Sequence, residues 1–412
     1  MQNNKMTNLP QSWEVKTLSE ISEIVTGSTP SKSNLDFYGK DYPFFKPSDF
    51  EQGYFLENAG DNLSKLGFDK ARQLPPKTIL VVCIGSLGKV ALTRVIGSCN
   101  QQINAIIPHK NIISEYIYYY CISSKFQSIL FSKAPQTTLA ILNKTEFSKL
   151  KIIYPKDIKE QKRIVGILDE SFAKIDESIK ILEQDLLNLD ELMQSALQKA
   201  FNPLKDNAKE NYKLPQGWEW KSLEEISEIN PRNKIDDNIN VSFISMDKIL
   251  DGYSNDFSYK VKKWKEVKKG FTHFKQGDIG VAKITPCFEN RKSVIFDKLE
   301  NGFGAGTTEL HIIRANESVY SKFLLWFFKT EWFIQNGILN MTGATGHKRI
   351  SKDFIKSLQI PLPPLKEQEQ IASHLDELSS HVKNLKQNYQ AQIKDLQELK
   401  NSLLDKAFKG NL

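Results

Sequence analysis

The chain is written twice. Leu9-Pro10-Gln11, Trp13-Glu14, Lys16, Leu18 and Glu20-Ile21-Ser22-Glu23-Ile24 return as Leu214-Pro215-Gln216, Trp218-Glu219, Lys221, Leu223 and Glu225-Ile226-Ser227-Glu228-Ile229, at a constant offset of 205. The two halves also close alike. Lys159-Glu160-Gln161 and Leu168-Asp169-Glu170 recur as Lys366-Glu367-Gln368 and Leu375-Asp376-Glu377, and Lys199-Ala200-Phe201 recurs as Lys406-Ala407-Phe408, all 207 residues later. Between these landmarks the halves diverge. A repeat of this length demands two folding units of one class, each a variable globule followed by a similar tail.

The tails are helical by spacing. Ile164, Leu168, Ile175, Leu182 and Leu189 mark the first apolar seam, and Ile371, Leu375, Val382, Ile393, Leu396 and Leu403 the second. From Phe172 onward the first seam follows a heptad. Each tail, 159–201 and 366–408, would span about 65 Å at 1.5 Å per residue. Neither can bury its stripe alone, so each is the other's obvious partner. The first helix carries the chain away from globule one, and the second starts at globule two, so they pair only by running in opposite directions. A helical hairpin that merely spaces domains or dimerises is the plainer alternative.

The globules read as mixed α and β. Residues 79–84, 103–107 and 310–313 have the apolar density of strands. One aromatic-rich helix is expected in each globule, over 116–131 and 320–334, with its rings in the core. Gly302-Phe303-Gly304-Ala305-Gly306 reads as a turn. The expected fold is therefore α+β: two mixed α/β domains related by a pseudo-two-fold axis and separated by a long antiparallel two-helix coiled coil. The expected boundaries are 1–155 for the first domain, 156–203 for the first helix, 204–213 for a linker, 214–360 for the second domain and 361–412 for the second helix.

Charge follows the same plan. The formal net charge is +7, with +5 in residues 1–155, −3 in 156–206, +5 in 207–360 and none in 361–412. A positive field on each globule suits encounter with a polyanion. Apolar runs stop at six or seven residues, where a membrane span needs about 20, and the start has no signal-peptide pattern; a cytoplasmic protein is expected. Cys83, Cys99, Cys121 and Cys287 form no metal or disulfide spacing and are expected as buried thiols.

Catalytic signatures are missing. The sequence has no phosphate-binding GxxxxGK[ST] loop, no HExxH and no Asn-Pro-Pro-aromatic run of an amino-methyltransferase. No catalytic residue and no metal site is expected. What remains is a set of polar, basic, glycine-containing loops, of the residue types that contact phosphates and base edges. In the first globule the candidates for DNA contact are Thr29, Ser31, Lys32, Lys46, Ser48, Ser86, Lys89, Asn100, Gln101 and Gln102. In the second they are Arg232, Asn233, Lys234, Lys262, Lys263, Lys283, Thr285, Asn290, Arg291, Lys292, His347, Lys348 and Arg349. A solvated loop is the plain alternative for each.

Two variable domains alternating with two long helices resemble the specificity subunit of type I restriction-modification systems. The Leu-Pro-x-x-Trp-Glu openings at 9 and 214 resemble the start of that family's target-recognition domains. Residues 26–31, 85–89 and 283–290 look like its internal landmarks, and Ile360-Pro361-Leu362-Pro363-Pro364-Leu365-Lys366-Glu367-Gln368 resembles the entry to its helical regions. The first junction, Ile153-Tyr154-Pro155-Lys156-Asp157, lacks the full proline-rich form. The resemblance implies that each domain reads one half of a gapped, asymmetric site in double-stranded DNA. It implies helices that set the spacer and dock two methyltransferase subunits, with restriction/translocase subunits joining to cut unmodified DNA. S-adenosylmethionine, ATP and Mg2+ would be used by those partners and not bound by this chain. Two rivals from other classes are a DNA-binding enzyme with an unrecognised nuclease or methyltransferase site, and a coiled-coil scaffold for proteins.

Overall fold

The computed structural model describes residues 10, 12–134, 140–201, 214–344 and 346–412. The expected linker at 204–213, with Leu9 and Gln11 of the first landmark, lies outside the described residues. The chain divides into two compact units, Met1–Ile181 with Ala391–Leu412, and Leu182–Gln390. Each unit therefore holds one globule and a segment of both long helices, which run Ile158–Ala200 and Leu365–Ala407.

In the first unit a five-stranded sheet is ordered Ser22–Thr26, Ile103–Pro108, Ile79–Val82, Val90–Thr93, Phe55–Leu56. Its middle strand is buried on both faces, which explains the unbroken apolar run. Ile79 and Val81 face the aromatic helices, while Leu80 and Val82 face Phe45, Phe50 and Leu56. A three-stranded sheet (Asp61–Leu63, Tyr38–Phe45, Ser98–Cys99) stands beside it, with Phe45 parallel to Cys99. The second unit has two four-stranded sheets. One is ordered Ser227–Ile229, Leu310–Ala315, Ile279–Ala282, Ser293–Ile295, and the other Lys260–Lys263, Asn240–Ile244, Phe303–Gly306, Thr272–Lys275.

Two expectations need correction. The run 302–306 is a strand at Phe303–Gly306, not a turn, and it is paired on both sides. Its glycines are there for close approach: the Phe274 ring occupies the place of a Cβ on Gly304, and the Ile244 carbonyl that of one on Gly306. The expected single aromatic helices are each two. Ser123 leaves helical geometry (φ −66°, ψ 147°) and Thr330 does the same (φ −67°, ψ 146°), and each hydroxyl caps the next helix through the amide of Phe126 or Phe333. The pieces are Ser114–Ile122 with Ser124–Lys133, and Ser321–Phe328 with Glu331–Leu339. Their rings are core, as expected, with Tyr116, Tyr119, Tyr120, Phe323 and Phe327 buried. Cys83, Cys99 and Cys121 are buried and all four thiols are free, but Cys287 is only half-buried.

The repeated landmarks are the seams that close each unit. The opening strand Trp13–Thr17 pairs with Lys151–Pro155, and Glu219–Ser222 pairs with Gln359–Leu362, just before each long helix. The repeated glutamine then bolts that helix to the aromatic one. Gln161 accepts from the Ile113 amide (2.9 Å) and donates to the Pro155 (2.9 Å) and Asn111 (3.2 Å) carbonyls. Gln368 accepts from Tyr320 (2.8 Å) and donates to Pro363 (2.8 Å) and Ser318 (3.1 Å). The repeated aspartates add a second tie, Tyr119 Oη to Asp169 at 2.6 Å and Trp326 Nε1 to Asp376 at 2.9 Å.

The third landmark is used crosswise. Phe408, at the end of the second helix, packs edge-on against Tyr116 and Tyr120 of the first unit, at 5.5 and 4.9 Å. Phe201, at the end of the first helix, packs against Phe323 and Phe327 of the second, at 5.0 and 6.0 Å. Burying each ring contributes roughly 1.5–3 kcal/mol. Within each unit the two helix segments run in opposite directions. In the first, Arg163 reaches the Leu412 carbonyl (2.8 Å) and Asp176 pairs with Lys400. In the second, Asp190 pairs with Lys386 (2.5 Å), while Ala196 and Ala200 share a groove with Ile371 and Leu375. No helix among the described residues is long and apolar enough to cross a membrane.

Candidate nucleic-acid interface

Sheet register decides where the polar loops go. In the first unit Thr26 lies opposite Asn104, and Val82 opposite Ile103. The loops after 26 and 82 and before 103 therefore leave one end of the sheet together. Backbone bonds sew them: Ser28 N–H to Cys99 O (2.9 Å), Cys83 N–H to Gln102 O (2.8 Å), Gly85 N–H to Ala140 O (3.2 Å). Gly27 has to be glycine, since a Cβ would strike the Asn100 carbonyl. The Asn100 amide donates to Phe45 O (3.1 Å), which brings Lys46 to the same place.

Side chains at this end differ in how free they are. Thr29, Ser31, Lys32, Ser48, Ser86 and Gln101 are exposed, and the Thr29 hydroxyl donates to Gln101 Oε1 at 2.5 Å. Asn100 is 7% exposed, and its amide holds Gln102 (2.8 Å). Lys46 is paired with Asp61, and Lys89 with Glu51. The Lys89 pair is exposed, and such pairs are worth little; the Lys46 pair is half-buried.

The second unit repeats this construction with other residues. Lys283 N–H donates to Glu309 O (3.0 Å), Thr285 N–H to Lys348 O (3.1 Å), and Ile350 N–H to Lys283 O (2.9 Å). Segments 283–292, 307–309 and 347–350 thus meet at one sheet end. Thr307 N–H donates to Ile244 O (3.1 Å), as Asn100 does to Phe45. Arg349 pairs through Nε and Nη2 with both oxygens of Glu309, each at 2.9 Å. That guanidinium beside it, then Lys283 and His311, holds the Glu309 carboxyl below its ordinary value. Burial pushes His311 down; its Nε2 sits 3.1 Å from the Ile350 carbonyl, so the neutral ring donates there. Among the described residues no three His, Cys, Asp or Glu side chains converge as a metal site.

Two units built on one plan, each with polar loops at one sheet end, match a known family. The model of the type I restriction modification DNA specificity domain fits residues 10–186 and again 215–395. The chain belongs to this family. The type I restriction enzyme EcoAI specificity subunit of Escherichia coli is 43% identical over 218 residues, covering 52% of this chain and 37% of that relative. The EcoEI specificity subunit, also of Escherichia coli, is 41% identical over 195 residues, covering 47% and 33%. The chain thus spans about a third of the length of these curated relatives. A solved chain from work on complex assembly and conformational transition of the type I R-M system superposes with a TM-score of 0.78 at 18% identity, covering 98% of this chain and all of that one. That likeness is one of fold.

Within these two specificity domains the structure sorts the candidate residues. Lys283, Thr285, His347, Lys348 and Arg349 come together in the second domain, with His347 and Lys348 exposed. Asn290 is exposed on the same loop, whereas Arg291 and Lys292 turn inward. Arg291 pairs with Glu331 and lies 5.5 Å from the Tyr253 ring, and Lys292 donates to Met246 O at 3.2 Å. Asn233 is spent on the Phe274 carbonyl (2.8 Å) and on Arg314, itself locked to Asp278 at 2.8 Å. Arg232 reaches the Phe271 carbonyl at 3.2 Å, and Lys234 is exposed beside it. Lys262 and Lys263 lie elsewhere. They sit on an edge strand, opposite Val241 and Asn240, at the far end of the strand that enters the loop cluster after Ile244.

On the helices, Ile164, Leu168, Ile175, Leu189, Leu375 and Val382 are buried, while Leu182, Ile371, Ile393, Leu396 and Leu403 are half-buried. Residues 245–247 and 307–309 were missed by sequence reasoning, although they occupy the positions of Lys46–Ser48 and Asn100–Gln102. The signal was present: 307–309 follow 100–102 at the same offset of 207 as the landmarks.

Proposed function

We propose that this chain is the sequence-reading subunit of a type I restriction-modification system. Each specificity domain reads one half of a gapped, asymmetric target in double-stranded DNA, and the chain performs no chemistry itself. The observation that carries this is the recurrence, in both units, of exposed polar and basic side chains (Thr29, Ser31, Lys32, Ser86 and Gln101 in the first, Asn290, His347 and Lys348 in the second) on loops sewn to one end of a sheet. Rigid placement is what base-edge recognition needs, and the surrounding lysines suit phosphate contact. Two methyltransferase subunits dock on the helices in this reading, and restriction/translocase subunits join them; S-adenosylmethionine, ATP and Mg2+ belong to those partners. The boundaries are those of the sequence, 1–155 and 214–360 for the readers and 156–203 and 361–412 for the helices that set the spacer.

Methylome sequencing of a host carrying this chain with its methyltransferase subunit tests the reading. A bipartite methylated motif is expected. Exchanging 214–358 for a relative's segment should replace one half only, and inserting four residues into the first helix, about 6 Å, should lengthen the spacer or abolish binding. Cleavage or methylation by the purified chain with metal or methyl donor alone would instead establish an enzyme. DNA affinity without steep salt dependence would point to a protein scaffold.

A further inference from the structure

The second unit holds several arginines that a loop-based reader could use, and their surroundings separate them. Arg291 and Arg314 have side chains only 20% and 21% exposed and are committed to Glu331 and Asp278. Arg232 is exposed, but its guanidinium meets a carbonyl and the His273 ring (3.4 Å), with no carboxylate among the described residues to fix it. Arg349 is 42% exposed and held by Glu309, itself 27% exposed. Its backbone is set by bridges to Ile284 and Thr342.

The fork geometry then counts its donors. Nε and one N–H of Nη2 go to Glu309, and one N–H of Nη1 goes to the His347 carbonyl at 3.0 Å. Of the five N–H groups of a guanidinium, one on each of Nη1 and Nη2 remains without a partner among the described residues. A donor on each of the two terminal nitrogens suits the O6 and N7 acceptors of guanine in the major groove; adenine presents a donor where O6 would be. Among the described residues the first unit lacks this device. Ile84 bridges to Ile141 as Ile284 does to Arg349, so a 43% exposed isoleucine stands where the guanidinium would be. Gln102 takes the place of Glu309, through its carbonyl bond to the amide of Cys83, the counterpart of Lys283.

We infer that Arg349 is the guanine-reading side chain of the second unit, with Glu309 as its positioning residue, and that the first unit reads its half-site without an equivalent. This rests on the specificity-subunit reading above. It assigns a base chemistry to one unit: a G·C pair in the half-site read by residues 214–360.

The test is methylome sequencing of hosts carrying the full chain with its methyltransferase subunit, as wild type, Arg349→Ala, Arg349→Lys and Glu309→Ala, the second half-site being identified by the segment exchange. In wild type the second half contains a required G·C pair. Arg349→Ala makes that pair degenerate, lowering its preference about 5- to 150-fold, with the first half and the spacer unchanged. Glu309→Ala relaxes the same pair less, and Arg349→Lys retains part of the preference because an ammonium still donates to O6 or N7. A wild-type second half without a required G·C pair overturns the inference, as does an Arg349→Ala motif identical to wild type. If Arg349→Ala methylates nothing, Arg349→Lys decides: relaxation at one G·C pair supports the assignment, and an unaltered or evenly weakened motif overturns it. Absence of any defined motif in wild type is a different result and defeats the specificity reading itself.

Discussion

Replacing Gln368 with alanine tests the account of how each long helix is fastened to its globule. The side chain is 1% exposed and makes three hydrogen bonds, to Tyr320 N–H, Pro363 O and Ser318 O. After truncation the Ser318 carbonyl can be rehydrated, because that residue is exposed, but the Tyr320 amide and the buried Pro363 carbonyl lose their partner. A buried unsatisfied group costs roughly 1–3 kcal/mol, so two such groups put the loss at about 3 kcal/mol, roughly two orders of magnitude in an opening equilibrium. Gln161 has the same three kinds of partner, in Ile113 N–H, Pro155 O and Asn111 O, so Gln161→Ala should cost the same in its own unit. Hydrogen exchange resolves the two locally: Gln368→Ala should speed exchange at Tyr320 and the helix after it, and Gln161→Ala at Ile113. Less than a tenfold change at the expected amide would refute the reasoning, and so would an effect confined to the other unit.

Two further outcomes follow from burial. Phe408→Ala should destabilise the first unit by about 3–5 kcal/mol, because the ring is 3% exposed and fills a socket made by Tyr116 and Tyr120; a melt of the first unit unchanged by the substitution would contradict that packing. Lys329 is wholly buried, donating to Gly252 O (2.8 Å) and Arg291 O (3.3 Å), and burial, then the nearby Arg291 charge, push it down to about 7. The unfolded chain then binds more protons between about 7 and the ordinary lysine value of about 10.4, so the second unit should gain stability as pH rises through that window. Lys329→Met should remove this slope in pH-dependent melts of the second unit, and a persisting slope would assign it to another group.

The repeat made much of the fold legible. The landmarks at 9 and 214, the glutamines at 161 and 368 and the phenylalanines at 201 and 408 are alike because each does one mechanical task twice, closing a sheet, bolting a helix or filling a socket. Direction of the helices followed from connectivity and from seams that need a partner. The errors came where one residue type serves two purposes. The glycine-rich run 302–306 looks like a turn, but Phe303–Gly306 is a strand, thinned at Gly304 and Gly306 to admit Phe274 and Ile244. Ser123 and Thr330 lie in short polar interruptions, Ser123-Ser124-Lys125 and Lys329-Thr330-Glu331, whose role as helix breaks the apolar spacing on either side hides. At the candidate interface composition pointed to these loops, yet it could not show which cations were already engaged. Arg291 and Arg349 look equivalent in sequence, and only the fold reveals that one turns inward to Glu331 while the other is held by Glu309 with two donors to spare.

The crosswise use of Phe408 has a consequence for synthesis. The second unit, Leu182–Gln390, is a single uninterrupted stretch, whereas the first draws on Met1–Ile181 and on Ala391–Leu412. A ribosome making this chain therefore supplies every residue of the later unit before it supplies the last of the earlier one. Birth order and completion order are reversed, since the socket of Tyr116 and Tyr120 can be filled only once Phe408 has been made.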